Sequence, residues 1–228
     1  MARLSIIIPV LDEGEGIAGA LDALAELRAL GVEVIVVDGG SRDATVQRAR
    51  LRADQVIPAP RGRAPQMNAG AARASGNVLL FLHADTRLPT EAERLVLDGL
   101  ARSERTWGRF DVTIAGHHPM LRIVATLMNI RSRITGIATG DQAIFVTRSA
   151  FDAAGGFPAI PLMEDIALSK ALKRKGRPLC IRERVITSGR RWETQGVLRT
   201  ILLMWRLRLA YFFGADPARL ARQYDHGG

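Results

Sequence analysis

Three short apolar runs, each leading into an acidic or glycine-rich segment, constrain the fold of this 228-residue chain more than any other feature. Leu4-Ser5-Ile6-Ile7-Ile8 is stopped by Pro9, Glu33 to Val37 leads into Asp38-Gly39-Gly40-Ser41, and Val78 to Leu82 leads into His83-Ala84-Asp85. Strands apolar on both faces belong in a parallel sheet covered by helices on both sides. Helical stretches separate the runs: residues 14–29, with Ile17, Leu21, Leu24 and Leu27 on one face, then Asp43 to Arg52, then Pro65 to Ala74. Gln55 to Ile57 reads as a short strand, and Thr90-Glu91-Ala92-Glu93 as a capping box opening a further helix. Right-handed crossovers place every strand's C-terminal end on one edge, where open α/β sheets bind ligands. Asp12 and Glu13, Asp38 and Asp85 are therefore expected to meet at one rim.

The second half is less regular. Arg109 to Ile114 and Ala143 to Val146 read as strands. Pro119 to Arg133 reads as a basic amphipathic helix, Met163 to Lys175 as a helix with Leu168, Ala171 and Leu172 inside, and Asp216-Pro217 as the start of a last short one. Gly196 to Phe213 is a strongly apolar helix interrupted by Arg199, Arg206 and Arg208. A spanning helix needs about 20 mostly uncharged residues, so this one is expected not to cross a bilayer. It reads either as a core helix with snorkelling arginines or as an in-plane helix on anionic lipid, joined by the Met120–Arg133 segment.

Hydrophobic residues make up 47% of the chain and charged residues 24%, which excludes a disordered chain. The single cysteine, Cys180, excludes an intramolecular disulfide framework and fits a reducing compartment. No charged, apolar and cleavable leader is read at the start, so the expected location is cytoplasmic, at the inner face of a membrane if the in-plane reading holds. Net charge is +9, and only three of the 32 basic residues are lysines. Such a bias attracts anions: nucleotides, phosphates or an acidic membrane surface. Aromatics, at 5%, are too scarce for the stacking platforms of a single-strand nucleic-acid binder, and no nucleic-acid partner is expected.

Four constellations carry chemistry, each with a plainer structural alternative. Asp38, before Gly39 and Gly40, accepts hydrogen bonds from a base or ribose, or caps the following turn. Asp85 ends the expected central strand and offers hard oxygen to a divalent cation, or caps a turn before Pro89. Glu164 and Asp165 open a helix, as a general base at the rim or as dipole complements. Arg190 and Arg191, beside Trp192, grip a diphosphate or form a solvated basic turn. The loop from Arg61 through Arg63 to Asn68 enters a helix N-terminus, a setting suited to anions.

In order along the chain, Ile6 to Glu13, Val36 to Asp43, His83-Ala84-Asp85, Gly140-Asp141-Gln142, Glu164-Asp165 and Arg190-Arg191-Trp192 resemble the family-2 glycosyltransferases of GT-A fold. The resemblance covers about residues 3–195. The Ser188–Trp192 ending is similar to that of a small bacterial subgroup labelled radical-SAM/selenodomain-associated transferase, a name taken from gene neighbourhood.

The resemblance implies an α/β fold with a mainly parallel, Rossmann-like sheet. It implies a glycosyltransferase domain over 1–195, divided into a nucleotide-binding half (1–105) and an acceptor-side catalytic half (106–195). Residues 196–228 are then a helical extension packed on that domain. The implied reaction is an inverting transfer from a nucleotide-diphosphate sugar, UDP- or GDP-linked, to an acceptor that in many members is lipid-linked. Pro9, Asp12, Glu13, Asp38, Gly39, Arg63, His83 and Ala84 match nucleotide-binding positions. Asp85 matches the acid carrying Mg²⁺ or Mn²⁺. Asp165, with Glu164, matches the catalytic base motif, and Asp141, Gln142, Arg190, Arg191 and Trp192 match the diphosphate and acceptor side. His83 stands where the family's D-x-D has its first acid, which sustains an alternative: a nucleotide-binding protein with lost or weak transferase activity.

Overall fold

The apolar runs pair in parallel and form one half of a single eight-stranded sheet. The computed structural model describes residues 3–226, without the side chains of 191, 195, 225 and 226. The strands are β1 (Leu4–Val10), β2 (Glu33–Asp38), β3 (Gln55–Pro58), β4 (Val78–Phe81), β5 (Thr86–Arg87), β6 (Trp107–Ala115), β7 (Phe145–Thr147) and β8 (Leu179–Ser188), in spatial order 3-2-1-4-7-6-8-5. β3, β2, β1 and β4 run parallel. β7 is antiparallel to both β4 and β6, β8 is parallel to β6, and β5 closes the edge antiparallel to β8.

The helices are α1 (Ile17–Asp22), α2 (Ala25–Ala29), α3 (Thr45–Arg50), α4 (Arg63–Arg73), α5 (Ala92–Ser103), α6 (Met120–Thr135), α7 (Arg148–Ala153), α8 (Glu164–Lys173), α9 (Arg190–Gln195), α10 (Val197–Phe212) and α11 (Pro217–His226). Strand alternation divides the core. Ile6, Ile8, Val34, Val36 and Leu80 pack with residues of α1, α3, α5 and α6, whereas Ile7, Ile35, Val37, Leu79 and Phe81 pack with residues of α4, α7 and α8. A third, small cluster joins Leu162, Met163 and Ile166 to Leu207 of α10 and Leu220 of α11. The last two helices thus dock on the start of α8.

Several expectations are corrected. Pro9 lies inside β1 rather than ending it: Leu82 donates its backbone N–H to Ile7 O, so the nitrogen of Pro9 faces the same side, beyond the last β1–β4 pair, Ile7 with Phe81. A missing donor costs nothing there. The stretch 14–29 is two short helices, because the first turn after Asp22 tightens to a Leu24 N–H to Leu21 O bond of 3.0 Å. Thr90 caps nothing; Glu91 precedes α5 in a left-handed conformation, without a side-chain cap. The sequence analysis assigns no strand at β8, which carries the charged run Arg182-Glu183-Arg184; a bulge accommodates it, with Phe110 opposite Ile181 and Asp111 opposite Arg184. Finally, α10 is not a core helix: it buries only Val197, Thr200 and Leu207.

Candidate active site

The C-terminal ends of β1 and β4 open into a cavity of 580 Å³, within the range of small-molecule sites. Pro9, Glu13, Arg63, His83, Ala84, Asp85, Asp141, Arg190 and Trp192 line it, so most of the site residues expected from the sequence meet there. Glu164 and Asp165 lie behind, in an adjoining cavity of 80 Å³. Arg63, His83, Asp141, Leu162, Met204 and Tyr224 border both cavities.

The first cavity is lined by charges of both signs. Arg61, Arg63 and Arg190 line it, and α4 begins there, presenting its backbone donors. Acids line it too: the Glu13 carboxyl is raised above its ordinary value, first by burial and then by the charges of Asp85 and Asp43, with Arg190 and His83 opposing. Glu13 and Asp85 both line this cavity and offer two hard-oxygen groups, although no cluster of three or more His, Cys, Asp or Glu placed to hold a metal occurs among the described residues. They suit Mg²⁺ or Mn²⁺, which bind through one or two carboxylates and complete their shell with substrate phosphates.

His83 is 3.4 Å from Asp141, Nδ1 to Oδ1. Burial works against the Asp141 charge, but the hydrogen bond and field of His83, with Arg63 and Arg208, hold its carboxyl below the ordinary value. Gly140 permits this approach, because a Cβ there would strike the His83 ring. His83 therefore orients Asp141 in this structure.

Asp165 Oδ2 accepts from Gly140 N–H at 2.8 Å, and Oδ1 accepts from Ile166 N–H at 2.6 Å. Met163, just before, is held at φ 70°, a strained conformation for a buried residue. Burial, then the neighbouring Asp165 charge, push the Glu164 carboxyl up to about 7. A folded-state value above the unfolded one means that the stability Glu164 contributes is complete below the unfolded value of 4.5 and is lost as pH rises through about 7. Urea unfolding across this range is expected to show wild-type stability falling between about pH 5 and 7, and a flatter profile for Glu164→Gln. Equal slopes would rule out Glu164 as the source.

Four expected site residues line neither cavity. Asp12 Oδ1 accepts from Arg42 N–H at 2.8 Å, and the Asp12 N–H donates to Ser41 Oγ. Asp38 accepts from Gly40 and Ser41 N–H groups, which is its turn-capping alternative. Gly39 packs on Gln66, where a Cβ would come within 2.9 Å of Oε1. Gln142 is buried, with Oε1 accepting from Thr139 N–H and Nε2 reaching Asn129 Oδ1. All four shape loops around the cavity. The Arg191 side chain lies outside those described.

Other residues were missed. Gln66 Nε2 donates to Val10 O and Val37 O, at 2.8 and 2.7 Å, and so ties the ends of β1 and β2 together. Thr200 and Met204 of α10, with Ala221 and Tyr224 of α11, line the large cavity, and Met204, Arg208 and Tyr224 line the small one. Their one sequence signal is the spacing of Thr200, Met204 and Arg208, four residues apart on one helix face.

No curated protein matches the chain. Among solved structures it is similar to the S. aureus TarS fragment 1–349 in complex with UDP-GlcNAc, with TM-score 0.66 and 17% identity, over 82% of this chain and 58% of that one. It is similar also to the mannosyltransferase PcManGT from Pyrobaculum calidifontis in complex with GDP-Man and Mn²⁺, with TM-score 0.68 and 19% identity, over 95% and 66%. A third likeness is to glucosyl-3-phosphoglycerate synthase from Mycobacterium tuberculosis in complex with Mn²⁺, UDP and phosphoglyceric acid, with TM-score 0.57 and 18% identity, over 80% and 68%. The chain thus spans 58% and 66% of the lengths of the first two. At these identities the likeness establishes the fold, a GT-A sheet with flanking helices. Residues 5–147, more than half of the chain, match the family described as Glycosyl transferase family 2, and the chain belongs to that family.

Proposed function

We propose that this protein transfers a sugar, with inversion, from a UDP- or GDP-linked donor to an acceptor hydroxyl, with Asp165 as base. The observation that carries this reading is the shared wall. A cavity sized for a nucleotide sugar, lined by Arg61, Arg63 and Arg190 and by the acids Glu13 and Asp85, adjoins a smaller one that holds Glu164 and Asp165, and Arg63, His83 and Asp141 border both. The donor's diphosphate lies against Arg61, Arg63, Arg190 and the start of α4. Asp165, oriented by Gly140 and Ile166, takes the acceptor's proton while the hydroxyl oxygen attacks the sugar's C1. The C1–O bond to the diphosphate breaks with its electron pair leaving on the nucleotide. Arg63 and Arg190 meet that charge in a preorganised field. A divalent cation, held by Asp85 with Glu13 and by the donor's phosphates, would supply further charge neutralisation. The resemblance of the Ser188–Trp192 ending to that of the small bacterial subgroup supports membership of that subgroup within this reading.

Titrating UDP and GDP by calorimetry, with and without Mg²⁺ or Mn²⁺, tests the proposal. One of the two is expected to bind, and at 100 times its Kd to stabilise the protein by about 2.7 kcal/mol. Asp85→Ala and EDTA should each weaken that binding about tenfold or more, the loss of one charge-assisted contact. If neither nucleotide binds, the donor assignment is wrong. Binding without donor hydrolysis or transfer would support the alternative, a nucleotide-binding protein that has lost its activity.

We propose in addition that the acceptor is lipid-linked and is met on an anionic membrane, at its inner, cytoplasmic face. No helix among the described residues is long and apolar enough to cross a membrane. Yet α6 exposes Ile123, Leu127, Ile130 and Ile134, and α10 exposes Leu198, Leu202, Trp205, Leu209 and Phe212, each set at helical spacing. The two helices start beside one pocket, which His118, Pro119, Val197 and Leu198 line. Exposed Arg122, Arg199 and Arg206 accompany the stripes. Each basic residue near an anionic surface contributes on the order of 1 kcal/mol. The protein is expected to float with anionic vesicles at low salt, to release at high salt, and to ignore neutral vesicles. Failure to float with anionic vesicles would point to a soluble acceptor.

A further inference from the structure

Two arginines near the acidic cavity have no partner: Arg208 lines it, and Arg131, which lines neither cavity, lies close enough for the charge of Arg208 to act on it. Arg131 Nε and Nη2, on α6, and Arg208 Nε, on α10, are buried without a hydrogen bond, and no ion pair involves either residue among those described. Two residues further along α6, Arg133 is tied to Asp111, as is Arg109 of β6. Among the described residues, the guanidinium nitrogens that are buried without a hydrogen bond are those of Arg131 and Arg208.

The bare pair is costly. Burial, then the charge of Arg208, lower the Arg131 guanidinium to about 10, and Arg208 is lowered chiefly by burial. Buried guanidinium nitrogens without a hydrogen bond call for an acceptor, and two cations that repel each other favour an anionic one. The charges of Asp165 and Asp141 reach both arginines without pairing with them.

Position decides which anion. Arg208 lines the 80 Å³ cavity together with Asp165, on the opposite side from the arginines of the donor cavity, Arg61 and Arg190. That space is several times the roughly 10–15 Å³ needed by a water. An acceptor whose hydroxyl meets Asp165 would place its neighbouring group at Arg208, beside which Arg131 adds its charge. The planar donor forks of two arginines match a tetrahedral oxyanion.

We propose that Arg131 and Arg208 form an anion subsite on the acceptor side, and that the acceptor carries a phosphate group close to the hydroxyl that receives the sugar. This deepens the transferase reading and rests on it.

The test fills the donor cavity first. With the protein saturated by whichever nucleoside diphosphate binds, and with Mg²⁺ present, inorganic phosphate is titrated by calorimetry. The wild type is expected to bind phosphate, and Arg131→Gln and Arg208→Gln each to weaken it about tenfold or more. Nucleotide affinity should stay within a few-fold. Because the cations are unpaired, Tm should hold or rise in both variants, whereas a purely structural arginine would lose Tm on replacement. Two further arms separate the sources of the phosphate. Competition by glycerol phosphate marks a soluble acceptor; Arg208-dependent retention on phosphatidylcholine vesicles carrying a prenyl phosphate marks a lipid one. No phosphate binding by the wild type, unchanged affinity in both variants, or a lowered Tm in both overturns the proposal. If UDP and GDP both fail to bind, the transferase reading fails separately, and phosphate titration of the free protein still reads the pair.

Discussion

Asp165→Asn is expected to lower donor turnover by about 10²–10⁴, the usual contribution of a general base, while leaving nucleotide affinity within a few-fold. The asymmetry follows from placement. Asp165 lies in the small cavity, behind the wall of Arg63, His83 and Asp141, and does not line the space where the nucleotide sits. Its two oxygens already accept from Gly140 and Ile166. The amide can reproduce one of those bonds but cannot take a proton. Donor hydrolysis by the mutant, read beside calorimetric titration of the nucleotide, gives both quantities. Hydrolysis near the wild-type rate would remove Asp165 from the mechanism and leave Glu164, in the same cavity, as the candidate.

The largest loss of stability is expected from Asp111→Ala. Arg109 is wholly buried, with a 0% exposed side chain, and Asp111 bridges it to Arg133, at 2.6 Å on the second side. Arg109 also donates to Ser132 Oγ at 3.0 Å and Asn129 O at 3.2 Å. Asn129 in turn exchanges two hydrogen bonds with the Val112 backbone. The network holds α6 on β6. Removing its one anion strands two cations, which costs about 3–5 kcal/mol. For a chain of this size that lowers Tm by roughly 10 °C or more. Asp111→Asn, which keeps the shape without the charge, should fall between. A loss in Asp111→Ala within the scatter of ordinary surface substitutions, about 0.5 kcal/mol, would show that the pair is not the tether.

Much of the fold was legible along the chain. The runs around Ile7, Ile35 and Leu80 are apolar on both faces, Ser5 and the leading Glu33 apart, as a strand covered on both sides requires. Their order and the intervening helical stretches suffice for the parallel half of the sheet. Of the acids after the runs, Glu13 and Asp85 line the large cavity and Asp12 and Asp38 do not; Arg190 lines it too, and Glu164-Asp165 line the small one. Where reading failed, the missing information was a neighbour. β8 carries Arg182-Glu183-Arg184 and becomes a strand because it pairs with β6 from Gly108 to Ala115 and bulges at the charged residues. Pro9 sits in β1 because β4 has already ended beside it.

The same division separates the acids from the arginines. Local spacing reflects covalent geometry, the 3.6 and 2.0 periods of helix and strand, so apolar runs and the acids at their ends could be assigned without knowing what lies across from them. Whether a charge acts on a ligand, caps a turn or bridges two elements depends on which group faces it, and that group is distant in sequence. Asp38 and Asp85 stand alike at strand ends, but Gly40 and Ser41 occupy the first, whereas the second opens on the large cavity. Arg109, Arg131 and Arg208 are alike as sequence, yet only Arg109 finds Asp111. Likewise the apolar stripe of α10 became an exposed face because α8 and α11 take only its Leu207 side. Long-range packing, which sets who lies opposite whom, made those decisions.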